Sequence, residues 1–369
     1  MKIAFFLPAL NFGGIEANTI RLAKSFIEKG YDIELLLGRA QGEYLERIDK
    51  SLKVINFNKK RSIGMIYSLV RYMKKEKPDI VYTGGEQANI ILMLAKLLSP
   101  KTKVIISIRT NLTVEYKETE RIIKKKLYPL LSKYLYKLAD SIVTVSKGVA
   151  DDVNKFLNLP KSKLTVIYNP IIDDEIFNLM EQRNSHPWLN DDQYKVIVSV
   201  GRLVNQKNFS LLIKAFKKVK EQLPEAKLII LGEGPEKQKL KYLIEELEME
   251  KDVTLEGFVQ NPYSYMKKSD LFVLSSKWEG FGNVIVEALA TGTPVVSTKC
   301  PSGPDEILEN GKFGYLVNLN DVEQMSTAIL HELSTPSADE KKRKARAEKF
   351  SVESATIQYI KLMKNLIQR

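Results

Sequence analysis

Apolar runs alternate with stretches in which apolar residues recur every three to four positions. In the first half the runs are KIAFFLPAL (2–10), YDIELLLG, PDIVYTGG, KVIISIRT, DSIVTVS and LTVIYNP, most of them nearly continuous in Ile, Leu and Val. Strands apolar on both faces belong to parallel sheets covered by helices. Between the first two runs, IEANTIRLAKSFIEKG sets Ile20, Ala23, Phe26 and Ile27 on one helical face and ends at Gly30, which predicts a C-terminal glycine cap. The alternation breaks over IIDDEIFNLMEQRNSHPWLNDDQ (171–193), rich in Asp and Asn, which reads as a linker. A second series follows: YKVIVSVGRL, AKLIILGEG, DVTLEGFV, DLFVLSS, TPVVSTK and GYLV, with helical stretches such as NFSLLIKAFKKVKEQL and PEKQKLKYLIEELEM between them. The pattern predicts an α/β chain of two tandem Rossmann-like domains, residues 1–171 and 172–351. The closing VESATIQYIKLMKNLIQR (352–369) reads as a helical tail whose docking the pattern leaves open. A chain of 369 residues is too long for one comfortable core, which agrees with two domains.

Composition narrows the class without changing this picture. Hydrophobic residues at 44% and charged residues at 28% exclude disordered and collagen-like chains. The longest apolar runs, such as IILMLA (90–95), fall far short of the roughly 18 residues of a membrane span. The opening MKIAFFLPALNFGG has too short an apolar run and no small-residue cleavage site, so it reads as a first strand and not a secretory signal, and a cytoplasmic location is expected. The single cysteine, Cys300, has no partner for an internal disulfide and reads as a small buried apolar group in preference to a nucleophile. Two histidines and no cysteine cluster argue against a structural zinc site, and neither metal nor cofactor is expected.

Charge changes the picture more. Of the net +12, residues 59–77 carry +6 and residues 117–137 carry +5. Both segments also hold apolar and aromatic residues at helical spacing, for example Leu127, Leu130, Leu131, Tyr134 and Leu138. Two readings stand: basic amphipathic helices for an anionic lipid surface, or solvated faces opposite a core-packing stripe. Nucleic acid is not expected, because no binding motif accompanies the charge.

Ligands of open parallel sheets bind beyond the carboxyl ends of the strands, which selects four stretches. After the first strand, Asn11, Phe12, Gly13, Gly14, Ile15 and Glu16 form a Gly-Gly turn into a helix, suited to close backbone approach and to an anion. After YKVIVSV, Arg202 and Lys207 stand near a helix start, where cations oppose the macrodipole unless an anion such as a diphosphate compensates. GEGPEKQ (232–238) is a dinucleotide fingerprint without its third glycine and reads as a turn with Pro235 opening a helix. After DLFVLSS, Glu279 is placed to accept from sugar hydroxyls, and Phe281, Gly282 and Asn283 offer backbone N–H groups. Glu287, one turn into the next helix, has two oxygens for the cis-diol of a ribose.

EGFGNVIVEALATGTPVV, preceded by VGRLVNQKN and by NFGGIE at the N-terminus, resembles the retaining glycosyltransferases of GT-B architecture (family 4-like, group 1) over the whole chain and in the right order. The resemblance implies two domains facing across a cleft, with the tail packing on the first. It implies a nucleotide-sugar donor, UDP-linked, held by Arg202 and Lys207 at the diphosphate, Gly13 and Gly14 over the phosphates, Glu279 at the sugar and Glu287 at the ribose. Phe258 and Val259 then stand at the nucleobase. It further implies metal-independent retention and a lipid-linked or cell-surface glycan acceptor at the cytoplasmic face of the membrane. Many relatives carry a histidine after a first-domain strand, where this chain offers Arg109 and Asn111, with Glu115 beyond; these three are the expected acceptor-side residues. The rival readings are a sugar-nucleotide epimerase of the same fold and a non-catalytic nucleotide-sugar-binding scaffold.

Overall fold

Runs of Ile, Leu, Val and Phe become strands buried on both faces, and the amphipathic stretches between them become the helices that cover those faces. The computed structural model describes residues 1–369 except 11, 12, 43, 44, 46, 47, 50, 120, 121 and 369 and the side chains of 123, 124 and 161. The chain divides into two units, Met1–Pro170 with Val352–Arg369, and Ile171–Ser351, a boundary one residue earlier than the linker pattern suggests.

The first unit holds β1 (Lys2–Leu7), α1 (Gly14–Glu28), β2 (Asp32–Leu37), β3 (Lys53–Asn56), α2 (Ser62–Glu76), β4 (Ile80–Gly84) and α3 (Glu86–Leu98). It continues with β5 (Lys103–Ile108), α4 (Leu112–Glu118), α5 (Ile122–Leu135), β6 (Ser141–Thr144), α6 (Lys147–Leu157) and β7 (Leu164–Val166). Its sheet runs β3-β2-β1-β4-β5-β6-β7 with every pair parallel. The order reverses between β1 and β4, so the crevice lies beyond Leu7 and Gly84. β3 is absent from the sequence reading because it is a four-residue edge strand, KVIN, with no buried residue to mark it. The basic segment 117–137 is not one helix: α4 ends at Glu118 and α5 starts at Ile122.

The second unit holds α7 (Asp174–Met180), β8 (Lys195–Val200), α8 (Phe209–Gln222), β9 (Ala226–Leu231), α9 (Lys237–Glu246), β10 (Val253–Gly257), α10 (Tyr263–Lys268) and β11 (Leu271–Leu274). Then come α11 (Asn283–Thr291), β12 (Val295–Thr298), α12 (Pro304–Ile307), β13 (Tyr315–Val317), α13 (Val322–Ser334) and α14 (Glu340–Glu348). The order β10-β9-β8-β11-β12-β13 reverses between β8 and β11, again with parallel pairs. The linker-like stretch contains α7, capped by the Asp173 carboxylate accepting from Ile176 N–H and anchored by buried Ile176 and Met180. Pro235 lies in the turn before α9, which begins at Lys237, and is not its first residue.

The tail forms α15 (Val352–Ile367) in the first unit, where Ala355, Tyr359, Met363 and Leu366 join the core of Phe5, Phe26 and Tyr82. Burying each large apolar side chain of that set is worth roughly 1.5–3 kcal/mol, which ties the helix firmly to this sheet. Gly30, with φ of 80°, terminates α1 one residue past its capping Lys29.

Candidate active site

In the second unit the site forms where β8 and β11 adjoin. Beyond Val200, the loop 201–208 is laced to the loop after β11 by hydrogen bonds that include Lys277 N–H to Gln206 O (2.8 Å), Gln206 Nε2 to Trp278 O (2.8 Å), Ser275 Oγ to Lys207 O (2.8 Å) and Lys277 Nζ to Asn205 Oδ1. The Lys207 stem runs over Gly201, where an added Cβ would stand 3.2 Å from its Cε. Lys207 Nζ therefore arrives 2.6 Å from Glu279 Oε1, and Ser276 Oγ donates to the same oxygen at 2.7 Å. Glu279 is 7% exposed, and its ionised form is held there by an ammonium and a hydroxyl, the pairing a buried carboxylate requires. The described residues make no hydrogen bond to its second oxygen, Oε2. Lys207 is thus paired with a carboxylate of its own unit, whereas the sequence reading looks to a diphosphate to compensate its charge.

The glycines of GEGPEKQ serve packing. A Cβ at Gly232 would lie 1.9 Å from Gly201 O, and one at Gly234 would lie 2.4 Å from Leu203 O. The β9 loop presses on the β8 loop, with Leu203 N–H donating to Glu233 O and Glu236 N–H to Leu203 O. Gly282, with φ of 98°, caps α11, and Asn283 and Glu287 lie half-buried in its first turns. The Phe281 ring is buried edge-on to Phe350 (5.3 Å), so only its backbone remains to meet a ligand. Phe258 is exposed beyond β10, while Val259 packs on the Leu189, Val196 and Val198 cluster. Arg202 is exposed just past β8. Burial, and secondarily the neighbouring Glu279 charge, pushes the Cys300 thiol well above its ordinary range, so it is a packed group and no thiolate.

In the first unit the residues gathered at the strand ends are Gly13, Gly14, Glu16, Gly84 and Arg109. Asn11 and Phe12 lie outside the described residues. Gly13 is the extended N-cap of α1, and a Cβ there would stand 2.6 Å from Glu16 Oε2. Burial raises the Glu16 carboxyl above its ordinary range, and the Arg109 charge partly offsets this. Arg109 Nη2 donates to Tyr82 Oη at 2.8 Å and Nη1 to Asn169 Oδ1 at 3.3 Å. Gly84 leaves room for the guanidinium, since a Cβ there would be 2.9 Å from Arg109 Nε. Asn111 belongs to a different local arrangement: its side chain caps α4 by accepting from Val114 N–H (3.1 Å), beside Asp152, which accepts from Leu112 N–H (2.7 Å). Glu115 is half-buried in the first turn of that helix.

Sequence reasoning passed over Ser276, Tyr82 and Asn169. The rule of strand carboxyl ends singles out Ser276 and Asn169, which follow β11 and β7, but Tyr82 lies inside a strand and gives no such signal.

Two parallel α/β sheets in tandem, each with a switch point in its strand order, give the chain the GT-B architecture. Residues 180–350 match the sequence model of the glycosyl transferases group 1, and residues 12–175 match that of glycosyltransferase family 4. The chain belongs to this family of enzymes. It is 34% identical over 381 residues to N-acetylgalactosamine-N,N'-diacetylbacillosaminyl-diphospho-undecaprenol 4-alpha-N-acetylgalactosaminyltransferase of Campylobacter jejuni, covering 100% of this chain and 98% of that one. It is 25% identical to UDP-Gal:alpha-D-GlcNAc-diphosphoundecaprenol alpha-1,3-galactosyltransferase of Escherichia coli, over 88% and 85% of the two chains. Among solved structures, Anabaena Alr3699/HepE in complex with UDP superposes with a TM-score of 0.82 at 22% identity, over 99% and 100% of the chains.

Proposed function

We propose that this enzyme moves a hexose or N-acetylhexosamine from a UDP-sugar to a lipid-linked or cell-surface glycan acceptor at the cytoplasmic face of the membrane, with retention and without a metal. The observation that carries the reading is the Lys207–Glu279–Ser276 arrangement at the switch point of the second sheet. Glu279 Oε2 accepts from a donor-sugar hydroxyl. Arg202, Lys207 and the N-terminal N–H groups of α11 stabilise the negative charge that grows on the departing diphosphate. Glu287 holds the ribose, Phe258 and Val259 flank the base, and Gly13 and Gly14 admit the phosphates. With a phosphate oxygen of the leaving group taking the acceptor's proton, front-side attack needs no dedicated protein base. The names of both relatives specify a diphosphoundecaprenol-linked acceptor and an alpha product. UDP-galactose itself carries an α anomeric bond, so an alpha product from it is retention.

Mass spectrometry after offering a panel of UDP-sugars with short-chain prenyl-diphosphate glycan acceptors tests this. One sugar residue added to an acceptor is the expected result. Isomerised UDP-sugar without transfer would establish the epimerase, and nucleotide binding without either product would establish the scaffold.

The surface of the first unit supports membrane attachment. Leu127, Leu130, Tyr134 and Leu138 are exposed, Tyr134 at 66%, and Leu131 is half-buried, so most of this stripe faces away from the core. Lys125, Lys126, Lys133 and Lys137 stand exposed among them. On α2, Ile63 (80%) and Tyr67 (69%) are exposed beside Arg71, Lys74 and Lys75. Among the described residues no helix is long and apolar enough to cross a membrane. Each basic residue near an anionic bilayer is worth about 1 kcal/mol. The double variant Lys125→Glu/Lys126→Glu is therefore expected to lose at least about tenfold in affinity for vesicles rich in phosphatidylglycerol at low salt. Equal co-sedimentation of the unaltered protein with neutral and anionic vesicles would remove the electrostatic attachment.

A further inference from the structure

The helix α15 brings a hydroxyl to the first unit's site that packing alone does not call for. Tyr359 stands edge-on to Tyr82, with ring centroids 5.5 Å apart and an interplanar angle of 85°, and the two hydroxyls are 3.3 Å apart. Both rings are buried, and Phe5 packs on Tyr82 from another side at 5.1 Å. Phenylalanine would fill the same volume at position 359. The hydroxyl there needs another explanation, because a buried O–H without a partner is costly.

Arginine supplies donors only, so the 2.8 Å bond from Arg109 Nη2 makes the Tyr82 oxygen the acceptor and sends the Tyr82 proton elsewhere. The Tyr82 hydroxyl lies 3.3 Å from that of Tyr359, and either of the two can donate. Arg109, Tyr82 and Tyr359 thus form a chain running from the carboxyl end of β5 through β4 to the returning helix. On its other flank the guanidinium is held by Asn169 at 3.3 Å, and Nε is buried against Gly84 without a partner among the described residues. These contacts fix the plane of the fork while leaving further N–H donors on its two amino groups. A fork with a fixed plane is suited to two oxygens of one phosphate.

We infer that Tyr359 is a positioning residue acting through Tyr82, which holds Arg109 where its remaining donors meet phosphate oxygens of the acceptor. The inference rests on the proposed acceptor-side role of Arg109 and adds to it a contribution from the C-terminal helix. Arg109 touches substrate in this arrangement; Tyr359 does not.

Tyr359→Phe keeps the ring and removes only the oxygen. In kinetics with the UDP-sugar and prenyl-diphosphate acceptor selected by the panel above, this variant is expected to raise the acceptor KM by roughly five- to tenfold, the scale of one hydrogen bond. The donor KM is expected to stay unchanged and the Tm to fall by no more than about 4 °C, the scale of one hydrogen bond in a unit of this size. In an Arg109→Ala background the same change has no further effect if the two act as one unit; additive effects would overturn the relay. A second readout needs no substrate. In protein labelled with 15N-arginine, hydrogen exchange at Arg109 Nε is expected to quicken about tenfold in Tyr359→Phe, an opening-equilibrium effect of the same scale, and an unchanged rate would overturn the proposal. Should Arg109→Ala leave acceptor KM and kcat untouched, the acceptor-side reading itself falls. Should Arg109→Ala be damaging while Tyr359→Phe is silent in both readouts, only the relay falls.

Discussion

Glu279→Ala is expected to lower kcat by roughly 10²-fold or more while UDP affinity stays within about threefold. The expectation follows from how the carboxylate is used. Oε1 is occupied by Lys207 Nζ at 2.6 Å and Ser276 Oγ at 2.7 Å, which fixes the group before any substrate arrives. Oε2 then has a set position for a hydroxyl of the donor sugar, an interaction that matters most as the anomeric bond lengthens. In the proposed site nucleoside diphosphate binding depends on other groups, Arg202, the N-terminus of α11 and Lys207. Lys207 loses an anionic partner in the variant and is freed for the phosphates. Glu279→Gln keeps an oxygen to accept from Lys207 and is expected to lose less than the alanine variant. Initial rates and calorimetry with UDP separate the two effects. Loss of UDP affinity with kcat intact would show that Glu279 is a binding group for the nucleotide, contrary to its assignment to the sugar.

Gly303→Ala is expected to destabilise the second unit by about 3 kcal/mol or more and to depress activity with it. Gly303 has φ of 110°, and an added Cβ would lie 1.8 Å from Phe281 O and 2.4 Å from its carbonyl carbon. Backbone cannot yield as a flexible side chain does, so the 279–283 loop must move away from the position in which Gly282 opens α11. For a domain of this size the loss corresponds to a fall in Tm of roughly 6–12 °C. Gly311→Ala is the control, because Gly311 has a similar φ of 103° but nothing within 4 Å of the added Cβ. It carries only the backbone strain of an alanine at positive φ, about 1 kcal/mol. Equal melting temperatures for the two variants would contradict the steric argument.

Strand positions were readable because burial on both faces is recorded locally, as in KIAFFLPAL and YKVIVSV. The loops of the proposed site were selected because ligand sites of parallel sheets follow strand ends, the rule that picks out Arg202, Lys207 and Glu279. The two-glycine fingerprint at 232–234 was legible as a glycine turn, yet its purpose was not, since the close approach of Gly232 to Gly201 O depends on β9 lying beside β8. The edge strand β3 left no trace because an edge has one side open to water and KVIN buries nothing. For the stripe on α5, helical spacing looks the same whether its apolar residues face a core or the surface, and only the neighbours of the helix separate the two cases.

From the sequence alone came the class of the fold, the tandem arrangement and the strand ends that carry the proposed site, all of them properties of short stretches of chain. Tertiary structure alone decided that Lys207 is paired with Glu279 across 72 residues, that Asn111 caps a helix, and that Tyr359 meets Tyr82 across 277. The physical reason is that burial is written into each segment, whereas a hydrogen bond between distant side chains depends on strand order and helix return. Those follow from the free energy of the whole chain and not from any one of its parts.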